Sequence, residues 1–278
     1  MTRAPASADD LGLFGPGSVT WRIHDEPILL LGGLRSLFLQ ALHPRALAGV
    51  MQNSDYRSDP WGRLLRTSAF VGTTIFGTTA QADAAGRRVR ALHAQLRASD
   101  PRSGEQFRID EPELLRWVHV AEVESFVTTA RRAGVRLTEA DVDTYHTEQR
   151  RVAALVGLDP ATVPGTAAEV EAYYDDVRPE LAMSRDAAEI LVFLFAPPMP
   201  WGLGFTPVRA AYTTVALTAF ALLPSWARRL YGVPRFPVAD LTASLSVRAL
   251  RVAVNAIPRR LYESPTYRAA MTRAAGHR

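Results

Sequence analysis

Apolar residues return every three or four positions through most of this chain, the spacing of one buried helical face. Ile28–Leu42 is an apolar helical stretch, with His43 favouring the dipole of its last turn and Pro44 stopping it. Asp59 before Pro60 is an N-cap followed by proline at the first helical position. That helix is predicted to run to about Phe76, with Gly77 as its stop. Thr79 opens a helix through Arg97, and Asp110 with Pro112 opens one to about Arg132, closed near Gly134. Thr138 with Asp141 has the form of a capping box, for a helix that ends before Gly157; Thr166 with Glu169 repeats it. Further helices are expected over Ser184–Ala196, from Thr206-Pro207 onward, and near Ser225–Tyr231, Ala239–Asn255 and Pro265–Ala275.

The alternation of a half-buried strand is scarce, and no repeat or linker divides the chain. One all-α domain over residues 19–278 is the simplest reading. Met1–Ser18 reads as a polar, flexible arm without the charged and apolar regions of a secretory signal, so a cytoplasmic protein is expected. The Pro- and Gly-bearing loop from Pro197 to Pro207 is the candidate for a lid or cavity wall. Ala210–Ala227 carries no charge and is just long enough to span a bilayer. Tyr212, several threonines, Pro224 and Ser225 make it read instead as a buried helix ending near Leu223, with no stable membrane span.

Composition narrows the chemistry. Apolar residues are 47% and charged residues 22% of the 278, ample for a core. All 32 basic residues are arginine, spread among 28 acidic ones, with none of the aromatic-basic patterning of a nucleic-acid reader. No cysteine is present, which removes disulfides, iron–sulfur clusters and thiolate ligands. Any metal must be held by nitrogen or oxygen donors.

Polar groups recur on otherwise apolar faces between His43 and His119, and burying them is costly unless something satisfies them. Arg63, Thr67, Phe70 and Thr74 share one helical face, with Arg66 beside them. Such a face is either a cavity wall that bonds an anion or polar ligand atom, or a surface arginine pattern paired to acids. His93 lies in a stripe with Val89, Leu92 and Leu96 and should point inward, as a metal ligand or as a hydrogen-bonded core residue. His119 shares a face with Leu115, Glu122 and Phe126; a core role suits it better than a di-iron site, which needs more carboxylates. His24, His146 and His277 read as surface residues, and Gly32-Gly33 as a packing or kink site.

Taken in order, the strings Leu42-His43-Pro44, Ser54-Asp55-Tyr56, Asp59 to Thr67, Phe76-Gly77-Thr78, Val89 to His93 and Trp117-Val118-His119 resemble the oxygenase family of latex-clearing proteins (rubber oxygenases) and MpaB-type enzymes. The resemblance extends over most of the chain. It implies a globin-like helical core binding haem b. By motif the proximal iron ligand falls on His93, with His119 second, and the arginine and threonine near the haem fall on Arg63 and Thr67. Rubber oxygenases can use a lysine between those two residues as a distal ligand; here the position is Arg66, which stays protonated and does not readily bind iron. The region of their proposed catalytic glutamate holds Leu47 and Asn53.

The expectation is therefore a haem oxygenase acting with dioxygen on an apolar small molecule, a terpenoid, polyketide or other natural-product intermediate. Arg63, Arg66 and Thr67 are the candidate catalytic residues, and His93, Arg63, Thr67 and Phe70 the candidate cofactor contacts. Rival readings are a haem sensor or carrier, a peroxide-dependent or rearranging haem enzyme, a non-haem iron protein and a helical protein with no cofactor.

Overall fold

A computed structural model describes residues 10–199, 202–203, 206–234 and 237–277. The helices follow the start and stop signals closely. They are α1 (Val19–His24), α2 (Leu29–Gln40), α3 (Pro44–Asn53), α4 (Pro60–Phe76), α5 (Thr79–Gln95) and α6 (Pro112–Arg132). After them come α7 (Glu139–Val156), α8 (Ala167–Val177), α9 (Arg185–Phe195), α10 (Pro207–Ala221), α11 (Ser225–Leu230), α12 (Pro237–Asn255) and α13 (Pro265–Ala275). The fold is all-α. None of the helices among the described residues is long and apolar enough to cross a membrane.

Local chemistry explains the boundaries. The Asp59 side chain accepts from Gly62 N, and Thr138 and Asp141 form the reciprocal capping box. Gly157 ends α7 in the left-handed region, at φ 101°. Thr78 caps α5 in a second box with Gln81.

Several expectations change. α5 stops at Gln95, and Arg97–Ser99 (β1) pairs antiparallel with Gln106–Arg108 (β2). The intervening Pro101 and Gly104 favour a turn over a continued helix, and Ala98 and Phe107 carry the hairpin into a small apolar cluster. His43 does not merely close the preceding helix: its Nδ1 accepts from Ala46 N and caps α3. The arm expected to be flexible is docked over residues 10–18. Phe14 is 3% exposed, and Asp10 accepts hydrogen bonds from Thr79 N and Oγ1. Residues 1–9 lie outside the described residues. The Pro197–Pro207 loop falls partly outside them too. α10 is covered on one face only, because Val208 and Leu217 remain exposed.

The core centres on α2. One side packs against α6 so closely that a Cβ on Gly32 would sit 3.1 Å from Phe126 Cδ1 and 3.2 Å from Ser125 O. Other faces of α2 meet α9 and α10. Phe38, Leu39 and Leu42 join Trp117, Val120 and Ala121 of α6 and Ala219, Leu222 and Leu223 of the α10 region. Arg35 lies inside this core at 1% exposure. It donates to Leu222 O (3.0 Å), Glu124 Oε2 (2.6 Å) and Ser125 Oγ (2.6 Å), which satisfies a charge that would otherwise be costly to bury.

Candidate functional site

α4 is held at both ends and bare between them. At its C-terminal end Thr74, Ile75 and Phe76 are buried. There Trp21 Nε1 donates to Ile75 O (2.9 Å), and Arg273 donates to Phe76 O (2.7 Å). At its N-terminal end Trp61 Nε1 donates to Pro198 O (2.8 Å), and its ring meets Tyr212 edge-on at 5.7 Å. Residues 64–69 in between are all exposed, Leu65 at 70%. Six consecutive residues cover more than one full helical turn. No face of this stretch is fully buried against protein.

α5 repeats the pattern. Ala82 and Gly86 are buried, but from Arg87 onward only Val89 and His93 of the helix turn partly inward. Leu92, expected in the buried stripe, is 55% exposed. α4 and α5 run away from one tight connection at Gly77-Thr78. Residues 64–69 and 87–93 therefore lie at similar distances along their helices, roughly 10–20 Å from that turn at 1.5 Å per residue. Leu64 and Leu65 of α4 and Leu92 of α5 are exposed, and α5 also carries His93.

That imidazole is unusual. His93 Nδ1 is buried and has no hydrogen-bond partner. Burial holds the ring neutral by lowering its pKa, opposed by the charge of Asp110. Arg63, like Arg116, is half-buried and makes no ion pair or side-chain hydrogen bond among the described residues. Burial, then the neighbouring Arg66, depress its pKa. Arg66 is exposed and bound to Asp59, and Thr67 is exposed. Phe70 and Thr74 turn inward. The four-residue face read from periodicity is thus buried at Thr74, half-buried at Arg63 and Phe70 and open at Thr67.

Phe70 and Thr74 also wall a small, partly open cavity of about 20 Å³ between α1, α4, α6 and α7. His24, His119, Glu122 and Gln149 supply its polar lining. His119 is 7% exposed, with no hydrogen bond to its ring. Its pKa is lowered to about 4 by burial and then by His146. Burial pushes the Glu122 carboxyl up to about 7. His24 Nε2 and Tyr145 Oη are 3.0 Å apart. His24 is partly buried and His146 fully buried, against the surface placement expected for both; His277 is exposed. The signal for His146 was present, since Val142, Tyr145, His146, Gln149 and Ala153 form one inward stripe. Tyr145 and Gln149 were missed with it.

A third feature lies near the N-terminal end of α4. An open groove of about 570 Å³ is lined by Val192, Phe193, Ala196 and Pro198, with Arg57 and Glu189 at one wall. Tyr56 Oη donates to Glu189 Oε1 at 2.9 Å and Arg57 pairs with the same carboxylate, which closes off the polar groups there.

Residues 21–256 match the family model described as ER-bound oxygenase mpaB/B'/Rubber oxygenase, catalytic domain. The chain belongs to this oxygenase family. No curated protein and no solved structure matches it. The family match spans α2 to α12 and so includes the α4–α5 hairpin, the small cavity and the groove. Among the described residues no three His, Asp or Glu side chains converge as a metal site. A protein donor set of that kind, as in the two-His, one-carboxylate sites of non-haem iron enzymes, is not formed there. What the hairpin offers is a single unpartnered imidazole.

Proposed function

We propose that this protein is a haem b-dependent oxygenase acting on an apolar small molecule, with His93 as the axial ligand. The supporting observation is the exposed middle of α4, joined by one tight turn to the helix on which His93 keeps a buried nitrogen without a partner. These residues fit an apolar macrocycle in kind: Leu64, Leu65, Leu92 and Phe70 would hold its apolar faces, and His93 would supply the one protein donor its iron requires. Haem, when bound, supplies the oxidation chemistry, and the protein supplies orientation and a dry surround.

The chain's own residues take distinct parts. His93 is held neutral, the state in which an imidazole donates a lone pair. Arg63 keeps an unpaired guanidinium for an anion such as a propionate. Thr67 and Arg66 stand at the exposed rim of the same face, where a hydroxyl and a cation can bond a water or the substrate. The groove lined by Val192 and Phe193 is within the range of small-molecule sites, and its apolar walls fit a terpenoid or polyketide skeleton.

An absorbance spectrum tests this. The purified protein should show a Soret band that His93→Ala loses and His119→Ala keeps. Loss only in His119→Ala would move the ligand to α6. A colourless protein from haem-supplemented cells would remove haem altogether.

A further inference from the structure

The carboxylates around the α4 end of the molecule are nearly all matched to arginine. Asp59 is held by Arg66, Asp110 by Arg108, Glu124 by Arg35 and Glu189 by Arg57. Glu122 is not: it has no ion pair and no hydrogen bond among the described residues, yet it lines the cavity behind Phe70 and Thr74. The segment before α4 offers no carboxylate to the same region. Leu47 is core, and Asn53 Nδ2 donates to Gly49 O (3.1 Å) and Arg97 O (2.9 Å).

The cavity has the room and the polar lining for one water. Its volume of about 20 Å³ suits one water molecule, which needs two to four polar partners. His119, nine-tenths buried and without a hydrogen bond, is one. The Gln149 carbonyl is another, since its Nε2 is spent on Thr20 Oγ1 (3.0 Å). His24 also lines the cavity, bonded to Tyr145, and reaches partial exposure.

We propose that Glu122 is the proton-transfer residue of this protein, giving a proton to and taking one from the space along the Phe70–Thr74 wall of α4. The proton that leaves its carboxyl is replaced from solvent through the cavity water and the Tyr145–His24 pair, with no redox change. The use of that proton in oxygenation rests on the haem reading above; the proton-carrying carboxyl does not.

The electrostatics agree with the geometry. α4 presents only Phe70, Val71, Thr74 and Ile75 to Glu122, so no cation stabilises its carboxylate from that side. α1 presents His24, lowered to about 3, and α6 presents His119, lowered to about 4, so both rings are neutral at physiological pH. α7 presents Tyr145, with Glu148 beyond it and His146 behind His119; burial raises the phenol and lowers the imidazole. A carboxyl facing neutral groups and a distant carboxylate holds its proton near neutrality, the condition for acid–base work at pH 7.

Infrared spectroscopy of the purified protein tests the carboxyl without needing a cofactor. Wild type at pH 6 should show a protonated carboxyl band that shifts in D2O, fades across pH 6–8, and is absent from Glu122→Gln. The haem-loaded protein gives a second readout with cyanide as the probe, because hydrogen cyanide must surrender its proton to a base as cyanide binds ferric iron. The association rate should rise through pH 7 in wild type. In Glu122→Gln it should be flat and lower by roughly tenfold or more, and Glu122→Asp should recover part of it. An ionised Glu122 at pH 6, or an unchanged cyanide rate in Glu122→Gln, overturns the proposal. A colourless protein would sink the haem reading while the infrared result still decides this one.

Discussion

Arg66 Nη1 donates to Asp59 Oδ2 at 3.0 Å, and this bond separates two arginines that periodicity places side by side. Asp59 already caps α4 through Gly62 N. By taking Arg66 it anchors that guanidinium at the exposed start of the helix. Arg63, one turn earlier, has no acidic partner and is half-buried. The two cations therefore have different prospects with an anion.

Replacing Arg63 by alanine should weaken cofactor binding by about tenfold or more, since a charge-assisted bond to a partly buried anion contributes roughly 1.5–3 kcal/mol. Arg66→Ala should change affinity little, because an exposed pair is worth about 0–1 kcal/mol. Titration of the apoprotein with haemin checks both. Equal losses in the two variants would contradict the assignment of the anion to Arg63.

The bare stretch of α4 makes its own prediction. Residues 64–69 are exposed on every face, so their amides should exchange with D2O far faster than those of α2 and α6. Loading the protein with haem should slow exchange in residues 64–69 and near His93. The Gly32 region, sealed against Phe126, should be unaffected. Protection that appears elsewhere and spares α4 would place the cofactor on another surface.

Much of this was legible locally. Asp59-Pro60, Thr138 with Asp141, Gly77 and Gly157 mark helix ends through interactions within a few residues, and those ends fall where the signals put them. α1 is too short for a periodic signal, at six residues. The β1–β2 hairpin is likewise shorter than the alternation that would reveal it. The site itself is non-local. Phe70 meets His119 and Glu122 only because α1, α6 and α7 close around the end of α4. Periodicity can turn His119 and Glu122 inward, but it carries no information on which helix they face. Leu92 shows the opposite limit, an apolar residue on the expected stripe that the protein leaves more than half exposed.

Gly32 and Gly33 are adjacent, and they should respond oppositely to alanine. A Cβ at Gly32 would press on Phe126 Cδ1 (3.1 Å), Ser125 O and Thr129 Oγ1 (both 3.2 Å), across the α2–α6 contact of the core. Relieving it means shifting α2 from α6, and overpacking of this kind costs about 1–3 kcal/mol. A Cβ at Gly33 meets nothing within 4 Å. Gly33→Ala should therefore gain up to about 1 kcal/mol from helix propensity alone. Urea unfolding of both variants measures the difference; destabilisation by Gly33→Ala would mean that α2 is not a plain helix at that position.

The small cavity should make stability respond to pH in two opposed directions. Glu122 titrates at about 7 when folded and near 4.5 when exposed. Between those values the folded chain holds a proton that the unfolded chain has released, so stability falls as pH rises. His24 and His119 have the reverse sign. Folded, they titrate at about 3 and about 4, against 6.5 unfolded, so their contribution is complete above pH 6.5 and is lost as pH drops toward 4. Single variants separate the two. Glu122→Gln should gain on wild type steadily from pH 5 to pH 7.5, because it removes a carboxyl that is increasingly costly to keep buried. His119→Gln should gain on wild type in the other direction, from pH 6.5 down to 4.5, because it removes a ring that the unfolded state protonates first. Denaturant midpoints across that range measure both slopes. Parallel curves for Glu122→Gln and wild type would show that the carboxyl titrates alike in both states, and would leave the cavity without its distinguishing charge.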